Sequence, residues 1–228
     1  MKILAIDTAT EGCSAALLND DKIISRQEVV PRKHADLILP MLDEILAEAQ
    51  LSLKQLDALA FGRGPGAFTG VRIATGVIQG IAFGSDLPVV PVSTLRALAQ
   101  RTFNEYQHEK VLTAFDARMD EVYWAEYALG ENEIMQLQGE EQVIAPEHVT
   151  LSSSHQQWVG SGSGWAAYSD VLKKAVSAES LTLYTDMITR ADEIVTLASH
   201  DFAQGISVGA ENALPVYLRN KVAKKKSA

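Results

Sequence analysis

Residues 2–6, Lys-Ile-Leu-Ala-Ile, form a short apolar run that stops at an acid, Asp7; polar residues fill 8–12, and apolar character returns over 13–18. That pattern predicts a β-hairpin with a carboxylate at its lip. Asn19-Asp20-Asp21 marks the next turn and 22–30 a third strand, ended by Pro31. From residue 34 the period changes. Leu37, Ile38, Met41, Leu42, Ile45, Leu46 and Ala49 share one side of a helix over 34–50, while Asp36, Asp43, Glu44 and Glu48 take the other. Pro40 is expected to kink this helix or to confine regular hydrogen bonding to the residues after it. An apolar strand over 58–61 then runs into a loop holding Gly62, Arg63, Gly64, Pro65, Gly66, Thr69 and Gly70, and a second helix opens at residue 71. That helix, 71–84, is uncharged beyond Arg72 and carries Gly76, Gly80 and Gly84 four apart on one face. Glycine inside a helix costs about 1 kcal/mol relative to alanine. The strip therefore predicts a backbone packed close against it, from the sheet or from another helix. A strand over 87–92 and a helix from Ser93 or Thr94 to the region of Asn104 complete the first half.

The second half repeats the pattern. An apolar run over 111–115 ends at Asp116, Ala117-Arg118-Met119-Asp120 turns, and strands over 121–128 and 133–143 follow. A helix near Pro146, a strand over 157–159, a glycine-rich loop with Gly160, Gly162 and Gly164, a helix from Trp165, a strand over 181–184 and a helix over 190–204 come next. With Asp116 aligned to Asp7, each half reads β-β-β-α-β-α-β-α, with a glycine loop after its fourth strand. The expected fold is α/β: two tandem lobes of mixed sheet flanked by helices, 1–105 and 106–213, with 214–228 a last segment packing back on a lobe.

A chain of 228 residues, 47% of them hydrophobic, can bury one large core or two modest ones. Its net charge of −9 is uneven: Arg219, Lys221, Lys224, Lys225 and Lys226 all follow the last acid, Glu211. Residues 1–218 thus hold 15 basic against 29 acidic groups, a net −14, which should repel a phosphate backbone. The basic tail reads as a solvated terminus or as a contact to RNA or an acidic partner. With no long apolar run and a first strand at Met1, a cytoplasmic protein without membrane contact is expected. The single cysteine, Cys13, leaves no internal disulfide and reads as a small buried residue.

The loop glycines allow close backbone approach, so its N–H groups could face an anion or another protein surface. Its spacing is neither that of a P-loop nor a G-x-G-x-x-G dinucleotide turn. A nucleotide cradle and a tight turn or interface loop both remain open.

Two such units in tandem resemble the actin-like ATPase and sugar kinase superfamily, whose nucleotide lies between the lobes. The likeness narrows at particular residues: 3–10 (Ile-Leu-Ala-Ile-Asp-Thr-Ala-Thr), the glycine run 62–73, 115–123 (Phe-Asp-Ala-Arg-Met-Asp-Glu-Val-Tyr) and 215–219 (Pro-Val-Tyr-Leu-Arg) are similar to the bacterial TsaB (YeaZ) family across essentially the whole chain. The resemblance implies a partner subunit in making threonylcarbamoyladenosine beside the anticodon of tRNAs that read codons starting with A. It implies work with TsaD, which transfers the group, and TsaE, an ATPase, while TsaC supplies the activated intermediate. It also implies a homodimer in isolation, tRNA contact only through the complex, and no catalytic step of the chain's own.

Individual residues qualify that likeness. Superfamily kinases follow the hairpin acid with glycine to hold a Mg-phosphate; here Asp7 precedes Thr8, Ala9 and Thr10, and Asp116 precedes Ala117 and Arg118. Asp7, Thr8, Thr10, Asp116, Arg118, Gly160, Gly162 and Gly164 are the candidate nucleotide-cleft residues, for weak ATP or ADP if any, against hairpin turns that organise the cleft. No two histidines of His34, His108, His148, His155 and His200 stand four apart, so no helical metal pair is expected, and His34 reads as a helix start. The absence of His-Glu-x-x-His and of a Ser-His-Asp set argues against a glycoprotease. The two helices look apolar around more of their circumference than one sheet can cover. Leu37, Leu39, Met41, Leu42, Ile45, Gly70, Arg72, Ile73, Gly76, Gly80 and Phe83 are therefore the expected face for TsaD or a second copy. The alternative is an ATP-dependent small-molecule phosphotransferase using Asp7 and Asp116.

Overall fold

The computed structural model describes residues 1–30, 32–152, 157–178 and 180–219. Pro31, His155 and the tail 220–228 lie outside the described residues. Strands β1 (Lys2–Asp7), β2 (Gly12–Asn19), β3 (Lys22–Val29), β4 (Ala58–Gly62) and β5 (Val89–Val92) form one sheet in the order β3-β2-β1-β4-β5. Strands β6 (Lys110–Asp116), β7 (Val122–Leu129), β8 (Met135–Ile144), β9 (Val159–Ser161) and β10 (Thr182–Tyr184) form the other, β10-β9-β6-β7-β8. Matching β1 to β6 and onward makes the two orders identical. In each sheet an antiparallel hairpin supplies the first two strands, and the first strand pairs in parallel with the fourth. The duplication read from the sequence is thus present in the topology.

The helices are α1 (His34–Ala49), α2 (Phe68–Ser85), α3 (Thr94–Tyr106), α4 (Ser163–Ala175) and α5 (Ala191–Ala203). Alternation along β1 decides what covers each face of the first sheet. Leu4 and Ile6 meet Ile38, Met41, Leu42 and Ile45 of α1 and Ala74, Ile78 and Ala82 of α2. Ile3 and Ala5 point the other way, onto Ala191, Ile194, Val195 and Ala198 of α5. The second sheet is covered by α4 on one face, through Trp165 and Leu172, and on the other by α3, through Leu95, Leu98, Ala99 and Phe103. Two helices have therefore crossed over: α3 follows the first sheet in the chain and roofs the second, while α5 follows the second and roofs the first. A division at 105/106 separates each of them from the sheet it chiefly covers, although Ala97 of α3 also joins the core on the first sheet.

Two expectations need correction. Residues 146–148 make only one 3-10 turn where the repeat predicted a helix, so among the described residues the second half shows no counterpart of α1. Residues 146–152, Pro-Glu-His-Val-Thr-Leu-Ser, carry no apolar stripe of helical period to bury. Pro40 lies inside α1, which starts ahead of it at His34. Elsewhere α2 begins at Phe68, ahead of the expected residue 71, and Ser93 caps α3 by accepting the Arg96 N–H at 3.4 Å.

Candidate functional site

Open α/β sheets bind ligands beyond the carboxyl ends of their strands, and both candidate acids lie there, Asp7 ending β1 and Asp116 ending β6. Their surroundings differ. Asp7 is fully buried. One carboxylate oxygen accepts the Ala9 N–H at 3.0 Å, and the other accepts the hydroxyl of Thr189, in the turn before α5. Burial pushes the Asp7 carboxyl above its ordinary value, opposed by these hydrogen bonds and by nearby His34. Thr10 lies 3.4 Å from Thr189, and Thr8 donates its hydroxyl to the Gly70 carbonyl at 2.6 Å. Asp116 is only partly buried; it accepts the Arg118 N–H at 2.8 Å and the Arg118 guanidinium at 2.9 Å. The hydrogen-bond partners of the two carboxylates share no residue.

The other cleft candidates are occupied by the chain itself. Gly160 is filled by Trp165 and Leu183, Gly162 by Ala114 and Leu98, and Gly164 by Ala114, all at 2.5–3.0 Å from where a Cβ would stand. Close packing of helix against strand takes up the space a side chain would need at each of the three. The imidazole of His34 bonds the Thr10 carbonyl at 3.1 Å. Burial pushes the Cys13 thiol up to about 11, so it stays protonated and unreactive at neutral pH. Among the described residues no group of three or more His, Cys, Asp or Glu could hold a metal ion.

The glycine loop is stitched inward as well. Arg63 and Ala67 donate their N–H groups to Val92 and Ala9, each at 2.8 Å, and the Gly64 carbonyl accepts from Thr94 at 3.1 Å. A Cβ on Gly62 would overlap the Asp7 carboxylate, one on Gly66 the Ala9 carbonyl and one on Gly70 the Thr8 carbonyl. The Arg63 guanidinium reaches across to Glu141 on β8 at 3.6 Å, and Glu141 also accepts the Tyr127 hydroxyl at 2.7 Å. Two of the loop's N–H groups are thus committed to the protein.

The helix launched by that loop is different. Among the described residues the positions of Gly76, Gly80 and Gly84 on α2 have nothing beyond the helix itself within 4 Å of where a Cβ would stand, and Phe83 is 87% exposed. Arg72 is exposed on the same stripe, four residues before Gly76. On α1 Leu39 is 50% exposed. The sheet therefore does not cover the glycine strip. The face is smaller than expected: Met41, Leu42 and Ile45 are buried in the first core, Leu37 and Ile73 pack partly against it, and Gly70 is buried against Thr8. Periodicity located the apolar stripe of α1 but not that the sheet would use most of it.

The segment 213–219 crosses between the sheets. Ala213 is buried in the first core, and Val216 donates its N–H to the Arg63 carbonyl at 2.9 Å. The Tyr217 hydroxyl accepts from Arg72 Nε at 3.0 Å. Arg219 then grips Glu121 and donates to the Arg118 carbonyl at 3.1 Å in the second lobe. That carbonyl belongs to a turn in which Arg118, Met119 and Asp120 all take positive φ, near 60°. The expectation that this segment packs back on one lobe gives way to a strap touching both. Thr189, Phe68 and Tyr217 were not singled out as site residues; Thr189 meets Asp7 only through the fold, and no local signal marks it.

The family model described as "TsaD: tRNA N6-adenosine threonylcarbamoyltransferase" matches residues 19–227. The tRNA threonylcarbamoyladenosine biosynthesis protein TsaB of Escherichia coli K12 is 46% identical over 231 residues, covering 99% of this chain and 98% of that protein. The protein of the same name from Haemophilus influenzae is 42% identical and covers 99% and 97%. YeaZ from Pseudomonas aeruginosa, a solved structure, matches with a TM-score of 0.89 at 46% identity, over 95% of this chain and 99% of that one.

Proposed function

Because this chain belongs to the TsaB (YeaZ) family of tRNA threonylcarbamoyladenosine biosynthesis proteins, we propose that it serves that pathway as a non-catalytic subunit. Its task is to dock the transferase TsaD and support threonylcarbamoyl transfer to the adenosine beside the anticodon. The observation that carries this reading is the open strip on α2. At three glycines inside one helix, each costing about 1 kcal/mol against alanine, an added Cβ would meet nothing beyond the helix itself within 4 Å among the described residues. A helix of another subunit approaching the α2 backbone is what such a strip accommodates, with Leu39, Arg72 and Phe83 around it. The same face serves self-association of the free chain, and TsaE and tRNA are reached through the assembled complex. The sequestered Asp7 and the inward-turned loop speak against a phosphotransferase acting alone.

The test is reconstitution. The chain by itself is expected to leave tRNA unmodified, and to restore modification when added to TsaD, TsaE, TsaC, ATP, threonine, bicarbonate and tRNA. Gly80→Leu is expected to abolish co-elution with TsaD on a sizing column while leaving the thermal melt of the free chain in place. Unchanged co-elution overturns the docking face, and failure to restore modification overturns the function.

A further inference from the structure

Seven of the nine arginines of this acidic chain are paired with its own carboxylates, the exceptions among the described residues being the exposed Arg32 and Arg72. Arg26 pairs with Glu44 and Glu48, Arg63 with Glu141, Arg96 with Asp201, Arg101 with Glu105, Arg118 with Asp116, Arg190 with Glu105 and Glu193, and Arg219 with Glu121. Arg72 is treated differently. Its guanidinium carbon lies 3.8 Å above the centre of the Phe68 ring and 5.9 Å from that of Tyr217, and its Nε donates to the Tyr217 hydroxyl at 3.0 Å. The two rings stand 5.9 Å apart, so the flat cation is clamped by aromatics. Among the described residues its two terminal nitrogens have no hydrogen-bond partner and no carboxylate within ion-pair distance.

A guanidinium held in one orientation with its fork free is prepared for a planar anion, because the entropy of fixing a long side chain is already spent before binding. Its position says whose anion. Arg72 heads the stripe that continues through Gly76 and Gly80 to Phe83, so a helix lying along α2 passes over it. The body of the chain carries −14, which opposes a nucleic-acid phosphate here. A second copy offers no acid from α2, which has none anywhere in Phe68–Ser85, and could supply one only from α1, through Asp36 or Asp43.

We propose that Arg72, pre-oriented by Phe68 and Tyr217, receives a carboxylate carried on the docking helix of the transferase subunit, and so fixes the register in which that helix lies on α2. The occupant has a defined chemistry: an Asp or Glu at one end, small residues where it crosses Gly76 and Gly80, and an apolar recess for Phe83. Arg72 and Phe83 are eleven positions apart, so at 1.5 Å per residue the acid and the recess lie roughly 16 Å apart along the partner. Tyr217 and Phe68 are positioning residues that act through Arg72.

This inference rests on the docking face proposed above, and two variants separate their fates. Affinity for the purified TsaD-type transferase subunit is measured by calorimetry at low and high salt, using the full chain. Arg72→Glu is expected to weaken binding at least about 30-fold, the loss typical of leaving one member of a buried charge pair unmatched. It should also remove most of the salt dependence seen with the wild type. Arg72→Lys should recover only part of the loss, because an ammonium keeps the charge without the stacked fork. Tyr217→Phe, which keeps the ring and deletes the hydroxyl, should cost less than either. If Arg72→Glu binds like the wild type while Gly80→Leu does not bind, the docking face stands and the carboxylate contact is overturned. If neither variant changes affinity, the docking face itself falls. Loss confined to self-association, or to binding of tRNA by the assembled complex, assigns Arg72 to a second copy or to a phosphate and also overturns the proposal. Arg72 is exposed, so an unchanged thermal melt separates lost binding from lost folding.

Discussion

The seven glycines from Gly62 to Gly84 divide into two groups on either side of Arg72. Those before it are needed by the chain itself: Gly62 admits the Asp7 carboxylate, Gly66 and Gly70 admit the backbone of the first hairpin, and Gly64 sits at φ +94° beneath the strap. Those after it, on α2, face nothing among the described residues. Both groups look alike in sequence, where a glycine four residues from another is simply a small residue. The difference teaches that a glycine's meaning lies in what occupies its missing Cβ. An internal neighbour makes it structural, and an empty space on a rigid helix makes it a place reserved for something outside the chain.

That division can be broken by substitution. Gly70→Ala should have the largest effect, a loss of about 3 kcal/mol or more, because the added methyl overlaps the Thr8 carbonyl, a backbone atom that cannot swing aside. Urea unfolding measures it, and a near-neutral result would erase the distinction between the groups. Arg219→Ala should come next, lowering stability by about 1–2 kcal/mol in the same assay as the strap loses its hold on Glu121 and the Arg118 carbonyl. Gly80→Ala should have the opposite sign. With open space at its Cβ and better helix propensity, it is expected to stabilise the free chain by up to about 1 kcal/mol while weakening the docked complex. A destabilised free chain would place Gly80 in the first group.

The smallest effect concerns pH. The folded Asp7 carboxyl titrates above its ordinary value of 3.8. As pH falls from 7 towards that value, the folded chain takes up a proton that the unfolded chain does not. Wild type should therefore gain stability relative to Asp7→Asn on acidification, a difference lost again as pH rises through the folded value. Thermal melts of both proteins at pH 7 and pH 5 check the sign. A gap that moves the other way means the Thr189 and Ala9 hydrogen bonds outweigh burial.

Much of the fold was readable from local pattern. The strand alternation fixed both hairpins to within a residue or two, and the matching order of elements in the two halves announced the paired sheets. What escaped was whatever depends on residues far apart in the chain. Nothing in 94–106 says that its apolar face will seek Val111 and Tyr127 rather than the strands just before it. Nothing near Thr189 marks it as the partner of Asp7. The stripe of α1 was legible, with Leu39 off it, but that the first core would bury Met41, Leu42 and Ile45 and leave them no part in an outer face was not. The site was half legible for the same reason: the strip on α2 and its Arg72 stood out, while the aromatic clamp needed the C-terminal strap to be folded into place.

The exchange of α3 and α5 also sets an order of events at the ribosome. The first sheet is complete once Val92 has been made, yet the helix that shelters Ile3, Ala5 and Val90 begins only at Ala191. At roughly 5–20 residues per second, that sheet waits on the order of ten seconds with one oily face bare. A nascent chain paused anywhere in the second half would display that face to chaperones and proteases, so the molecule becomes safe from them only when almost the last of it has been translated.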